Sequence, residues 1–310
     1  MQSPRRANKT IFFLAIYLLY SQVLLLVMYL FTGFQYLNTM LRSGISQVVF
    51  FLIPFLFYLF VTRQNIKNVL AWKGLSIKNA LLVFAVSVAI IPMLYIISFI
   101  SSFVFVPVID DFAYDIALAS LWMGILFIGI FPSIFEEIWF RGVLFKEYRA
   151  GGISIHKVAI ITGVFFGLIH MNFHQAIYAA AIGILYAYIL YYTRSILAPM
   201  LAHFINNSLA VILANSALYM DWYASIQLHP LTFFVTMGIA SAVMLPLVVY
   251  CMKQFKKHHA STLSDDEIVE VNSAGEPKSK LLTWGFWAAL AVLLLLSALM
   301  EVVMRFDYVY

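Results

Sequence analysis

Two adjacent carboxylates, an arginine, two histidines and an asparagine stand inside apolar stretches of this 310-residue chain. Their spacing points to acid–base chemistry. The segment Phe131-Pro132-Ser133-Ile134-Phe135-Glu136-Glu137-Ile138-Trp139-Phe140-Arg141 gives the two acids different tasks. Glu137 and Arg141 stand at i and i+4 with the acid nearer the N-terminus, the favourable orientation for a pair on one helix face. Glu136 points about 100° away and its own i+4 neighbour is Phe140, so no cation close in sequence serves it. A desolvated carboxylate without a partner is the setting in which a general base or acid is tuned. Two solvated interfacial glutamates are the plainer reading. It carries less weight because ionisable residues at membrane depth are usually functional.

A second cluster, Gly163-Val164-Phe165-Phe166-Gly167-Leu168-Ile169-His170, is followed by Met171-Asn172-Phe173-His174. Gly163, Gly167, His170 and His174 share one narrow face if a helix runs that far. The glycines admit another helix and so turn His170 toward protein rather than lipid. Phe166 stands one turn before His170, within reach of its ring. Taken alone, His170 reads equally well as a structural histidine bonded across helices. His174 reads as interfacial. The pair has metal-ligand spacing but lacks the intervening glutamate of the soluble zinc-protease helix motif. The third cluster is Ser195-Ile196-Leu197-Ala198-Pro199-Met200-Leu201-Ala202-His203-Phe204-Ile205-Asn206-Asn207-Ser208. His203 and Asn207 again stand at i and i+4. Pro199, four residues before His203, predicts a loosened or kinked backbone there. Asn206 points elsewhere and reads as a helix-packing contact.

The elements that must position these groups are transmembrane helices. The chain is 64% hydrophobic and 11% charged, far outside the range of water-soluble proteins. Apolar windows of bilayer-spanning length recur throughout, and lipid obliges the backbone to satisfy itself internally. The expected spans are Ile11–Phe31, Val48–Val61, Ala80–Val106, Ile116–Phe135 (continuing helically), Val158–His170, Gln175–Tyr192, Ile196–Leu218, Leu231–Met252 and Leu281–Met304. The fold class is therefore all-α, a polytopic transmembrane bundle of eight or nine helices, the short second and fifth spans setting the range. The first apolar run is too long for a signal-peptide core and reads as an uncleaved helix.

Arg5, Arg6 and Lys9, then Arg63, Lys67, Lys73 and Lys78, then Arg141, Lys146, Arg149 and Lys157, then Arg194, then Lys253, Lys256 and Lys257 all fall on one side of a nine-span topology. Asp110, Asp111 and Asp115 fall on the other. The positive-inside rule makes the N-terminus cytoplasmic in a multi-pass cell-membrane protein. The net charge of +5 lies in these short loops and does not mark a nucleic-acid binder. Residues 1–310 read as one membrane domain, with 259–280 a flexible cytoplasmic linker before the final helix at 281–304. The lone cysteine, Cys251, excludes an intrachain disulfide and reads as a packed thiol.

Depth draws the three clusters together. Counted from the basic flanks at ~1.5 Å per residue, Glu136 lies ~15 Å from Lys146, His170 ~20 Å from Lys157, His203 ~14 Å from Arg194, and Asn207 near ~20 Å. A carboxylate, two imidazoles and an amide thus converge at a similar level on three helices.

These motifs, Glu136-Glu137-x-x-x-Arg141, Phe166-x-x-x-His170 and His203-x-x-x-Asn207, in this order on successive hydrophobic segments, closely resemble the CPBP family. That family comprises the CAAX prenyl endopeptidases and bacterial proteins linked to bacteriocin self-immunity, and is also called the Abi family. The resemblance covers 116–218, about a third of the chain, and the three motifs are specific only together. It implies an intramembrane endopeptidase with a glutamate-activated water. Glu136 would be the base, assisted by His170; His203 and Asn207 would stabilise the oxyanion; Glu137, Arg141 and Phe166 would support them. The alternative family view is a metalloprotease with Glu136, His170 and His203 on zinc, an acceptable catalytic set. Sequence does not separate the two, and the reading leans toward no obligatory metal. The partners implied are the bilayer and a peptide or protein substrate, free or membrane-anchored. Competing readings are a proton-coupled transporter and a non-catalytic immunity or scaffold protein. The absence of paired broken helices or an internal repeat argues against the transporter.

Overall fold

Long apolar windows leave the backbone no partner but itself, and the chain folds accordingly. The computed structural model describes residues 4–70, 73–107, 115–116, 118–216, 221–222, 225, 229–262 and 281–307, and among these there are helices and no strands. Eight helices are long and apolar enough to cross a membrane. They are α1 (Pro4–Phe31), α2 (Thr39–Thr62), α3 (Ile77–Ser102), α4 (Leu121–Ala150), α6 (Phe173–Thr193), α7 (Leu197–Ala214), α8 (Pro230–Thr262) and α9 (Trp284–Asp307). Between α4 and α6 lies the shorter α5 (Ile155–Leu168).

Local chemistry explains where these bounds depart from expectation. The second span begins at Thr39, not Val48, because the Asn38 side chain accepts from the Leu41 N–H and starts the helix early. It is 24 residues long, so only the fifth remains short. α3 begins at Ile77 on a Ser76 cap and bends at Ile90, just before Pro92. The seventh span ends at Ala214 rather than Leu218. α8 runs on to Thr262, so residues 259–262 of the expected linker are helical. The rest of that linker, 263–280, lies outside the described residues, as do Asp110 and Asp111.

Hydrogen bonds tie alternate helix ends together. At one end Arg6 of α1 meets Glu147 of α4, Gln64 after α2 meets Tyr58, and Ser195 before α7 donates to the Lys73 carbonyl before α3. Asn8 of α1 donates to the Leu281 carbonyl before α9. At the other end Thr39 donates to Asp115, and Glu301 of α9 accepts from the Val106 N–H after α3. The basic loops thus gather at one end of the bundle. α5 also reverses the chain, since Phe173 after it packs at a tilt on Phe105, on the side of the bundle toward that second end. At its 14 residues it covers only about 21 Å and stops inside the bundle. The turn that follows sits beside Gln22 of α1, whose amide reaches Met171 Sδ, about 13 Å short of the far end of α1.

α5 and α6 form the most extensive helix pair, and glycine makes it possible. A Cβ on Gly163 would come within 2.9 Å of the Ile184 N, and one on Gly167 would collide with the Ala176 carbonyl. This close seam fixes the floor beneath the polar residues described next. Cys251 is free and buried.

Candidate active site

The helix carrying the acids is not uniform. α4 has wide i→i+5 turns at Ile125–Ile130 and Ile138–Leu144, with ordinary α-helix at Phe131–Glu137 between them. Such insertions re-aim side chains and recur at functional sites. α2 carries a similar turn at Val48–Leu52. Two of these three regions offer a carbonyl to a neighbour, and the third supplies a donor: Phe51 O accepts from Trp139 Nε1 at 2.8 Å, and Ile128 O accepts from Asn207 Nδ2 at 2.9 Å. These contacts lock α4 against α2 on one side and α7 on the other.

Glu136 is buried, and its Oε1 accepts from Gln47 Nε2 of α2 at 2.9 Å. Its Oε2 is also buried and bonds to no protein group among the described residues. Glu137 is fully buried and paired from two sides: Arg141 Nη1 at 3.1 Å and His203 Nδ1 at 3.0 Å both reach its Oε1, while its Oε2, like that of Glu136, has no protein partner among the described residues. Arg141, itself fully enclosed, also donates Nη2 to the Gly183 carbonyl at 2.7 Å and lies 4.6 Å from the Phe166 ring centre. A buried guanidinium needs this combination of acid, carbonyl and aromatic face to offset its lost hydration.

Gln47 was not legible as a site residue. The expected second span began one position later, which consigned Gln47 to a loop; the signal available was a lone amide flanking an apolar run.

Phe166 is the hub. Its ring meets His170 edge-on at 5.5 Å, His203 at 5.6 Å and Phe140 at 5.3 Å between centroids. His170 does not sit on a helix continuing to His174. α5 ends at Leu168, Met171 takes a left-handed φ of 55°, and the Asn172 side chain caps α6. His170 Nδ1 lies 2.9 Å from Phe166 O and 3.2 Å from Gly167 O. Carbonyls only accept, so Nδ1 carries a proton, and whenever the ring holds just that one, Nε2 is its lone-pair nitrogen. His174 is a correction on two counts. It is buried rather than interfacial, with Nε2 3.1 Å from Ser98 O, and it belongs to a different helix from the one that ends before His170.

On α7, His203 directs Nδ1 to Glu137 and stacks on Tyr186 at 5.5 Å. Tyr186 donates to Asn206 Oδ1, and Asn206 donates to the Ser87 carbonyl, so Asn206 packs helices as its position suggested. Pro199 does not kink α7. The helix begins at Leu197, so the proline occupies the first turn, where its missing N–H costs no intrahelical bond.

The zinc set does not assemble. Among the described residues no three His, Cys, Asp or Glu side chains are grouped so that they could hold a metal ion. Glu136 is held by Gln47, and the acid beside His203 is Glu137. This arrangement does not fit a three-ligand zinc site built from Glu136, His170 and His203.

Residues 118–209 match the family model "Type II CAAX prenyl endopeptidase Rce1-like". The matched segment contains all seven motif residues from Glu136 to Asn207, and it supports an intramembrane endopeptidase in general terms. No curated protein and no solved structure matches the chain.

Proposed function

We propose that this multi-pass membrane protein, whose segment 118–209 carries the CAAX-endopeptidase signature, cleaves a peptide bond within the bilayer by activating water on Glu136. One observation carries the reading: of two adjacent buried acids, Glu137 has its charge paired by Arg141 and His203 through Oε1, while Glu136 meets only the neutral Gln47 amide; each keeps its Oε2 without a protein partner among the described residues. A carboxylate locked to a guanidinium and an imidazole serves structure; one whose charge no cation offsets, with an oxygen open, is placed to take a proton from water.

In the reaction so read, Glu136 takes a proton from water and the water oxygen attacks the peptide carbonyl carbon. The Nε2 lone pair of His170 orients that water. The developing oxyanion accepts from the second N–H of Asn207 Nδ2 and from Nε2–H of His203 when that ring holds two protons, with Glu137 supplying the counter-charge. The proton on Glu136 then passes to the amide nitrogen, the C–N bond breaks, and acid and amine depart. The base, histidine and donor roles rest on the geometry above together with the family motif.

The orientation of the proposal follows loop charge: the basic end of the bundle faces the cytoplasm of the cell membrane. The test of function is cleavage of a panel of membrane-tethered peptides in proteoliposomes, analysed by mass spectrometry. Wild type should yield a defined internal cut that Glu136→Ala abolishes while substrate still co-purifies. Identical product from both proteins would refute the assignment.

A further inference from the structure

We infer that the basic end of the bundle holds a binding site for a phosphate-bearing lipid headgroup, separate from the acid–histidine cluster. A recess of about 510 Å³ is lined by Arg6, Arg63, Gln64, Asn65, Asn68 and Lys146, three cations and three amides with no acid or apolar side chain among them. The size suits a small polar group, since ligand pockets run from about 300 to 1,000 Å³.

The cations come from three different helix ends, and two of them are held in place by the fold. Arg6 is anchored through Nε to Glu147 Oε1 at 3.0 Å, and its side chain remains partly exposed where it lines the recess. Glu147 is itself fixed by Tyr58 at 2.8 Å and Thr10 at 3.0 Å, which keeps Arg6 from swinging away. Lys146 is half-buried and donates to the Asn68 carbonyl. Arg63 ends α2 in a left-handed conformation at φ 51°, which turns the chain back over the recess, and it makes no ion pair among the described residues. Guanidinium forks, an ammonium and side-chain amides on one concave surface are the donors that phosphate oxygens require.

The location selects the source. Arg6 lies in the first turn of α1, Arg63 just past the last turn of α2, and Lys146 near the end of α4, all of which are bilayer-length helices. That is the level at which headgroups of anionic lipids lie, and each nearby Lys or Arg there strengthens attraction to them.

The full-length protein in neutral detergent is titrated with dioctanoyl phosphatidylglycerol, dioctanoyl phosphatidylcholine, glycerol 3-phosphate or inorganic phosphate, and unfolding temperature is followed. Phosphatidylglycerol should raise it saturably and phosphatidylcholine should not. Removing each cation should weaken the response about fivefold, so Arg63→Gln with Lys146→Gln needs roughly 25-fold more lipid. Both positions tolerate the change, because Arg63 is exposed and a glutamine at 146 keeps a donor for Asn68. Lys253→Gln, at an exposed cation in the last third of α8, should bind as wild type does. An unchanged midpoint in the double variant overturns the site. An equal loss in Lys253→Gln overturns it in favour of diffuse charge attraction. Saturation by inorganic phosphate or glycerol 3-phosphate at the same concentration as phosphatidylglycerol overturns the lipid source.

Discussion

Gln47 Nε2 lies 2.9 Å from Glu136 Oε1 and pins the proposed base from a helix outside the family-matched segment. The amide is neutral, so it fixes the rotamer of the carboxylate without pairing its charge. Gln47→Leu should therefore release Glu136 while leaving the fold intact. A hydrogen bond to a charged group is worth about 1.5–3 kcal/mol, so turnover should fall roughly 10- to 100-fold. Gln47→Asn, one methylene short, should lose nearly as much, and single-turnover cleavage at saturating substrate measures both. Wild-type turnover in Gln47→Leu would remove the residue from the mechanism.

Glu136 and Glu137 should fail in different ways. Glu136→Gln removes an open acceptor and should abolish cleavage at normal yield and melting temperature. Glu137→Gln keeps the shape but leaves Arg141 buried without its counter-charge, a loss of about 3–5 kcal/mol where one partner of a buried pair is removed. Its signature is poor yield and a lowered unfolding temperature, read by size-exclusion chromatography and differential scanning fluorimetry. Equal stability with equal inactivity in the two variants would contradict the division.

Asn207 does two jobs in this reading, since one N–H of Nδ2 already holds the Ile128 carbonyl. Asn207→Ala should cut turnover by roughly 10²–10³ with little change in KM, as loss of an oxyanion donor does elsewhere. Elemental analysis adds a second arm: purified protein should carry substoichiometric zinc, unchanged in His203→Ala. One zinc per chain, lost in His170→Ala and His203→Ala alike, would replace the metal-free mechanism.

The α5–α6 seam should be intolerant of bulk. Gly163→Val forces a branched side chain onto the backbone at Ile184, an overpacking cost of about 1–3 kcal/mol or more. Unfolding temperature and cleavage should fall together, because the same seam carries Phe166 and His170. Gly238→Val, on α8 with open space around it, is the matched control and should be neutral.

Topology has its own check. Ser273→Cys should resist an impermeant thiol reagent applied to intact cells, and Asp111→Cys should react. The reverse pattern would invert the orientation.

The sequence made the helical bundle readable because lipid permits few other solutions, and the Glu137–Arg141 pair readable because it is a single-helix relationship. It also brought Glu136, His170, His203 and Asn207 to attention one helix at a time. Pairings between helices were not readable. His203 meets Glu137 and Gln47 meets Glu136 because α2, α4 and α7 approach one another at particular rotations, which periodicity along one helix does not encode. The end of α5 was misjudged for a local reason: apolar residues continue through Ile169, and only the left-handed Met171 and the Asn172 cap break the helix. That break is what separates His170 from His174.

Asn8 has a consequence for biosynthesis. Its side-chain amide donates to the Leu281 carbonyl and Thr283 Oγ1, across 273 and 275 residues of sequence, while its Oδ1 accepts from Tyr148 at 2.6 Å. The amide N–H groups of α1's Asn8 thus find their partners only once the start of α9 is made, whereas its Oδ1 can meet Tyr148 as soon as α4 is in place. Until then those N–H donors are served only by the headgroup-level surroundings that Asn8 shares with Arg6, and α1 is tied to α4 before it is tied to α9. A chain truncated before position 281 should therefore keep the contact between α1 and α4 through Tyr148 while losing the polar clasp that joins α1 to α9.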